Sequence, residues 1–206
     1  MKLYGHPLSS CTRKVLMALG EKGKSADFVL VDLFAGEHRD EAHRARHPFG
    51  VVPVLDDDGF VLFESRAILR YLDARLDGPS LTPKSTRERA RMDQWLSVDQ
   101  SYVAPHTRAL AIERIVKKHA GQPADEAAIA AAETALGGAL AILDRALASR
   151  GFLAGDSLSL ADVSLAPYVA SLPMIGAERL LAGVANLGAW WERVQARPSW
   201  RRASQA

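Results

Sequence analysis

The spacing of apolar residues changes once along this chain, and that change divides it into two kinds of structure. Through residue 78, short strand-like runs alternate with helix-like runs in the order βαβα-ββα. Beyond residue 86 the apolar residues recur every three or four positions, which is typical of helices. The segment between them, 79–86, is rich in Pro, Ser and Thr and resembles a linker. We therefore predict a small α/β domain at 1–78 and an all-helical domain at 87–206.

Turn and cap residues predict where several elements begin and end. Apolar runs flank Asp58-Gly59, a pair that favours an antiparallel hairpin. The run 28–33 is β-branched and apolar, which predicts a strand buried on both faces. Ser65 precedes a helical apolar stripe and is predicted to be its N-cap. Near the end of the chain, Pro198 is predicted to stop the last helix, with 201–202 in a solvated tail.

Composition excludes several classes of function. The 206 residues are 48% hydrophobic and 24% charged, ordinary values for a globular protein. The 26 basic and 24 acidic residues leave a net charge of +2, which argues against a nucleic-acid partner. The single cysteine, Cys11, allows no intramolecular disulfide. The longest charge-free run, 163–177, contains two prolines and is too short to span a bilayer. We expect a cytoplasmic protein without a membrane partner or a metal site, and with exposed histidines at positions 43 and 47.

Three polar side chains lie at the start of the first predicted helix, at 13–22. Ser9, Ser10 and Cys11 carry two hydroxyls and a thiol, groups that can stabilise an anion such as a thiolate. Lowering a thiol pKa by two units requires ~2.7 kcal/mol. One hydroxyl hydrogen bond to a charged group supplies ~1.5–3 kcal/mol. A simple helix-capping role is the more frequent alternative for a serine here.

Two further segments have the chemistry to hold a peptide-like ligand. A Glu64 carboxylate can hold an α-ammonium group, while Ser65 and the following helix N-terminus can hold an α-carboxylate. Helix capping alone is an equally compatible role for this pair. A cis bond between Val52 and Pro53 would direct the Val52 backbone towards a ligand. A trans proline at a strand start is the more frequent alternative.

Together these motifs resemble a known family. KLYGHPLSS, TRKVLMAL, AGEH, HPFGVVPVL, LFESRAILRYL and SLADVSLAPY occur in the order found in cytosolic glutathione transferases, over essentially the whole chain. The resemblance is greatest to the phi and theta classes. It implies a thioredoxin-like N-terminal domain, an all-helical C-terminal domain and a homodimer. It also implies glutathione as co-substrate, with its thiolate attacking a small apolar electrophile in a detoxification reaction.

The resemblance also implies roles for individual residues. Ser9 lies four residues before Arg13 and matches the activating serine, with Ser10 and then Cys11 as alternatives. The implied glutathione-binding residues are His38 and Arg39 for the glycyl carboxylate, Val52 before a cis Pro53 for the cysteinyl backbone, and Glu64, Ser65 and Arg66 for the γ-glutamyl end.

The remaining implied roles concern the electrophile, the dimer and the helical domain. The electrophile would lie between the domains near Leu8, Tyr102, Val103 or His106. Phe49 corresponds to the anchor between subunits, and Asp162 with Ser159 to a structural helix cap.

Two positions depart from the family pattern. Val51 replaces a Gln that contacts glutathione, and His47 replaces an Asn. Cys11 leaves open a peroxidase or thiol transferase that forms mixed disulfides with glutathione. Val51 leaves open a non-catalytic binding protein that keeps the fold.

Overall fold

A four-stranded sheet forms the centre of the first unit. The computed structural model describes residues 1–205. The elements are β1 (Lys2–Gly5), α1 (Ser10–Glu21), β2 (Asp27–Leu30), α2 (Glu41–Arg44), β3 (Val54–Asp57), β4 (Phe60–Phe63) and α3 (Ser65–Arg75). The sheet order is β2-β1-β3-β4, with β1 parallel to β2 and the other pairs antiparallel. The predicted βαβα-ββα order and the thioredoxin-like fold are confirmed.

The turn between β3 and β4 has the conformation that its sequence predicts. Asp58 has a φ of 53° and Gly59 a φ of 93°. A type I′ hairpin turn needs positive φ at both central positions, and glycine adopts it without steric cost. The Gly59 amide also donates a hydrogen bond to Asp56 Oδ1 at 2.8 Å. The Asp-Gly pair therefore sets the register of this hairpin.

The core of the first unit lies between the sheet and its two long helices. It contains fully buried apolar side chains from both: Leu3, Val15, Leu19, Leu55, Ile68 and Leu72. The strand β2 differs from its prediction, because Phe28 is 37% and Leu30 56% exposed. The expectation of a strand buried on both faces was wrong, since β2 is an outermost strand with a single paired neighbour.

The second unit is entirely helical in the part of the chain that the structure describes. Its helices are α4 (Thr86–Val98), α5 (Ala104–Ala111), α6 (Lys117–His119), α7 (Glu126–Leu147), α8 (Leu160–Ser171) and α9 (Ala185–Gln195). Two π-helical turns, Asp99–Val103 and Ile112–Val116, connect α4, α5 and α6. By length and composition α7 could cross a membrane. That is weak evidence for a span, because α7 buries Leu136, Leu140 and Leu143 as a core helix does.

The carboxylate of Asp162 holds together three segments of the helical unit. Its Oδ2 accepts hydrogen bonds from the Ser159 amide at 2.9 Å and the Ser159 hydroxyl at 2.7 Å. Its Oδ1 accepts from the Leu153 amide and from Trp190 Nε1, both at 2.9 Å. Asp162, Ser159 and Trp190 are all fully buried. This geometry supports the structural role that the resemblance implies for Asp162 and Ser159, and it places Trp190 in the core.

The end of the chain forms a helix, α10 (Pro198–Gln205), that packs on α1. A Cβ on Gly20 would lie only 3.1 Å from Ser199 Cα. Arg197 also forms a bidentate ion pair with Glu21, at 2.6 and 2.7 Å. Pro198 therefore begins a helix in addition to following one. Arg201 and Arg202 are exposed, as predicted, but they lie on that helix and not in an irregular tail.

The contacts of the backbone divide the chain into two compact units. The first contains Met1–Leu81 and the residues from Gln195 onward, and the second contains Thr82–Val194. The last residues thus belong with the first unit, whereas the sequence placed all of 87–206 in the second domain. The reason lies in the tertiary structure, because α10 packs on α1. The boundary between the two units after Leu81 lies within the predicted linker, 79–86.

Candidate active site

The sheet register brings the segments with the predicted site residues to one edge. At that edge Gly5 pairs with Leu30, Tyr4 with Val54, and Val54 with Phe63. Paired strands lie about 4.8 Å apart, so the residues just beyond these pairs are near neighbours. They comprise the loop from β1 to Ser9, Val52-Pro53 before β3, and Glu64-Ser65 after β4. His38 and Arg39 lie further along the loop after β2 and approach the loop before Pro53 at Gly50.

Ser9 is the N-cap of α1. Its Oγ accepts a hydrogen bond from the Thr12 amide at 3.3 Å. Capping uses one lone pair of the hydroxyl and leaves its proton able to donate to another group. The two roles considered for Ser9, helix cap and donor to an anion, are therefore compatible. Ser10 and Cys11 follow in the first turn of α1, both half-buried.

The loop before Ser9 is held by hydrogen bonds to its own neighbours. The Ser9 amide donates to the His6 carbonyl at 2.9 Å, and the Leu8 amide donates to His6 Nδ1 at 3.2 Å. Arg13 Nε donates to the Pro7 carbonyl at 2.7 Å. These contacts fix the approach of the chain to α1, so the Ser9 hydroxyl is positioned before any ligand binds.

The Val52-Pro53 peptide bond is cis, as the resemblance implies. Val52 is buried at 8% exposure and directly precedes the sheet edge. The loop before it is tied down by His43, whose Nε2 donates to the Val51 carbonyl at 2.8 Å. Val51 itself is half-buried. The backbone of Val52 is thus presented at the sheet edge by a loop with a defined conformation.

Glu64 occupies the N-cap position of α3, and Ser65 is the first residue of the helix. The prediction of Ser65 as N-cap was therefore displaced by one residue. Glu64 has a φ of 71°, which is rare for a residue with a side chain and is often found at functional sites. Within the described chain its carboxylate makes no capping hydrogen bond. The exposed Glu64 carboxylate and the α3 N-terminus therefore stand side by side, while Ser65 is buried at 3% exposure.

His38 and Arg39 lie in a 3-10 turn, Glu37–Arg39, that packs against the loop before Pro53. Gly50 makes this approach possible, because a Cβ there would lie 3.0 Å from the His38 carbonyl oxygen. Gly50 also has a φ of 60°, which favours glycine. Burial, together with the nearby charges of Arg39 and others, lowers the pKa of His38. At neutral pH the positive charge of this turn therefore comes from the exposed Arg39.

Two buried histidines beneath this edge were missed at the sequence level. His43 is 4% exposed and His47 only 1%, so the expectation that both are exposed was wrong. The His47 ring stacks on Phe63 with centroids 4.6 Å apart and meets Phe49 edge-on at 6.2 Å. The two histidines are four residues apart, a spacing that places side chains on one face of a helical turn. In the sequence, this spacing of the two histidines, together with Phe49 and Phe63, was the pattern that could have predicted their burial.

The residues implied for the electrophile and the dimer differ in exposure. In the first unit, Leu8 is 44% and Phe49 77% exposed. In the second, Tyr102 is 61% exposed and His106 is half-buried, but Val103 is 1% exposed. A ligand therefore cannot reach Val103 without displacing its neighbours. Residues 1–205 contain no group of three or more His, Cys, Asp or Glu side chains with metal-site geometry.

Comparison with known proteins identifies the family. The model of the glutathione S-transferase N-terminal domain matches residues 3–80, and that of the C-terminal domain matches residues 99–198. The chain belongs to the glutathione S-transferase family. The family predicted from the motifs is thus confirmed.

Relatives match over nearly the full length of both chains. Glutathione S-transferase F10 of Arabidopsis thaliana is 36% identical over 201 residues, covering 96% of this chain and 94% of its own. Glutathione transferase F7 of Populus trichocarpa has a TM-score of 0.92 at 35% identity, with coverage of 99% and 97%. A theta class glutathione S-transferase of Xanthomonas axonopodis pv. citri, solved with glutathione bound, has a TM-score of 0.89 at 34% identity, with coverage of 100% and 97%. The relatives match both units, so both units are part of the fold that the family shares.

Proposed function

We propose that this chain is a glutathione transferase in which Ser9 activates the thiol of glutathione. The observation that supports this role most is the geometry of Ser9. Its Oγ caps α1 through the Thr12 amide, and its hydroxyl proton remains able to donate. A hydrogen bond to the sulfur, together with the positive end of the α1 dipole, favours the thiolate over the thiol. The thiol proton passes to solvent, and the thiolate attacks an electrophilic carbon, so that a carbon–sulfur bond forms while a leaving group such as chloride departs with its bonding electrons.

The remaining groups at the sheet edge match the polar ends of the tripeptide. Glu64 would hold the γ-glutamyl ammonium, and the amide groups at the start of α3, with Ser65 and Arg66, its carboxylate. The Val52 backbone before the cis Pro53 would pair with the cysteinyl residue. His38 and Arg39 would hold the glycyl carboxylate. Val51 offers no polar side chain where the family has Gln, so we expect weaker glutathione binding than in relatives with that Gln.

The same proposal also covers the site of the electrophile, the oligomeric state and the location in the cell. Candidate contacts for an apolar electrophile are Leu8 in the first unit, and Tyr102 and His106 in the second. The exposed Phe49 would anchor a homodimer. Conjugation of electrophiles is a detoxification reaction, which we place in the cytoplasm.

The decisive experiment removes the Ser9 hydroxyl. In Ser9→Ala, we expect the pKa of bound glutathione to rise by about two units, because ~2.7 kcal/mol of thiolate stabilisation is lost. Turnover of 1-chloro-2,4-dinitrobenzene at pH 6.5 should then fall about 100-fold, while glutathione still binds. Thiolate absorbance against pH measures the first effect, and steady-state kinetics the second.

Matched controls use the neighbouring residues. Ser10→Ala and Cys11→Ser should each retain conjugating activity within a few-fold of the unmodified protein. Full activity in Ser9→Ala would refute the role of Ser9. Loss of activity in Cys11→Ser alone would instead favour a thiol transferase or peroxidase. Absence of glutathione binding at millimolar concentration, measured by calorimetry, would favour the non-catalytic alternative.

A further inference from the structure

His47 is a buried histidine whose ring has an unsatisfied nitrogen. Its side chain is 1% exposed, and no hydrogen-bond partner for its Nδ1 is found among residues 1–205. The ring stacks on Phe63 at 4.6 Å with an interplanar angle of 29°. A neutral imidazole tolerates such an apolar environment far better than an imidazolium, because burial without a partner penalises charge.

His47 stacks on Phe63, which is next in sequence to Glu64, the proposed partner of the ammonium group. Phe63 is the last residue of β4, and Glu64 follows it directly. The Glu64 carboxylate acts on the His47 ring electrostatically and raises its pKa, but burial lowers that pKa more, and His43 lowers it further. The ring is therefore neutral at pH 7 and does not compete with a ligand for the Glu64 carboxylate.

We propose that His47 is a positioning residue whose protonation competes with the ammonium group of glutathione for the Glu64 carboxylate, so that glutathione binding releases a proton in mildly acidic solution. The inference rests on the proposed function, because it takes Glu64 as the partner of the γ-glutamyl ammonium. A His47 cation and the ligand ammonium would both lie beside one carboxylate and repel each other. By linkage, each therefore weakens the binding of the other.

The repulsion between the His47 cation and the ligand ammonium determines whether affinity for glutathione rises or falls with pH. The bound ammonium lowers the pKa of His47 below its value in the free protein, which is itself below the usual 6.5 or so. Between those two pKa values the free protein holds a proton that the complex does not. Affinity for glutathione must then fall as the pH falls through that window, by at most about tenfold per pH unit for a single proton.

The other titratable groups near the site can be separated from His47. His43 packs beside it with ring centroids 6.5 Å apart, but its Nε2 is engaged with the Val51 carbonyl. His38 would hold a carboxylate, so its protonation strengthens binding and gives proton uptake. The direction of proton transfer therefore distinguishes His47 from His38.

The test is calorimetric titration of the full chain with S-methylglutathione, whose blocked thiol removes thiol ionisation from the measurement. Titrations at pH 7.5, 6.0 and 5.0, each in two buffers of different ionisation enthalpy, give the protons released per site. We expect no release at pH 7.5, release of a fraction of a proton at the lower values, and a several-fold rise in the dissociation constant by pH 5.0. His47→Asn should bind without release and lose the acid-side weakening. His43→Gln, which keeps an amide donor for Val51, should retain the release.

Each outcome of these titrations either supports or overturns the role of His47. If the net number of protons transferred on binding at pH 5.0 to 6.0 is the same in the unmodified protein as in His47→Asn, the inference is overturned, because any uptake by His38 is common to both proteins. His47→Gln is a second variant should the first fail to fold. If S-methylglutathione does not bind even at pH 7.5, the proposed function itself fails. Binding without a difference in linked protons between the two proteins would leave that function intact and reject only the role of His47.

Discussion

At the scale of single residues, two carboxylates of this protein are used in opposite ways. Asp162 is fully buried and accepts four hydrogen bonds, two from Ser159 and one each from Leu153 and Trp190. Burial raises the pKa of its carboxyl group, and these hydrogen bonds oppose that rise. Glu64 is exposed, sits in an unusual backbone conformation and makes no capping bond within residues 1–205. The buried carboxylate stabilises the helical unit, and the exposed one remains available to a ligand.

Replacing Asp162 tests its structural role. Asp162→Ala leaves buried donors without an acceptor, at a cost of about 1–3 kcal/mol for each group. We expect the free energy of unfolding to fall by about 3 kcal/mol or more, as measured by urea titration. Asp144→Ala is a matched control, since Asp144 caps the start of α9 through the Leu187 amide from a more exposed position. A smaller loss in Asp162→Ala than in Asp144→Ala would contradict the role of Asp162.

At the scale of elements, the last helix shows how a segment remote in sequence completes the first unit. Glu21, at the end of α1, accepts hydrogen bonds from Arg197 and from the Ser199 hydroxyl. Burial would raise the pKa of Glu21, but these hydrogen bonds and the Arg197 charge outweigh it and lower the pKa. The ion pair is thus part of what holds α10 on α1.

The stability supplied by Glu21 depends on pH. Because its pKa is lower in the folded protein, its contribution is complete above the unfolded value of about 4.3 and is lost as the pH falls through the lowered value. Glu21→Gln should reduce the free energy of unfolding by about 1.5–3 kcal/mol at pH 7 and by much less at pH 3. The control Arg201→Gln, exposed on α10, should change it by no more than about 0.5 kcal/mol. Equal losses for Glu21→Gln at both pH values would exclude the ionic contribution.

At the scale of the whole molecule, Phe49 is the most exposed of the large apolar side chains. An exposed phenyl ring gains about 1.5–3 kcal/mol when a partner surface buries it. Its neighbours His47 and Phe63 hold one side of the ring, which leaves the other available. These features agree with a role in the proposed homodimer.

Phe49→Ser tests this assembly. We expect the unmodified protein to sediment as a dimer, and the dissociation constant to rise about 10- to 100-fold for each anchor lost. Phe34→Ser is the control, because Phe34 is also exposed, at 45%, but has no proposed role in the dimer. Sedimentation velocity over a range of concentrations gives the constant. A monomeric unmodified protein would rule out the assembly.

The local patterns of the chain were sufficient for most of its elements. Asp58-Gly59 predicted a hairpin because the turn conformation depends on those two residues alone. The change in apolar spacing after residue 78 predicted the transition from mixed structure to helices for a similar reason, since periodicity reflects which face of an element is buried. The ordered motifs from KLYGHPLSS to SLADVSLAPY were specific enough to predict the family.

Local sequence patterns could not predict the features that depend on residues distant in the sequence. The buried state of His43 and His47 results from packing against Phe63 and the Val51 carbonyl, and their own charged segment gave the opposite expectation. Likewise, β2 is exposed because of its place in the sheet, and α10 belongs with the first unit because of contacts with α1. The sequence is enough for local conformation and for the chemistry of each side chain. Burial, and therefore the charge a side chain carries, comes from neighbours that are brought together by folding.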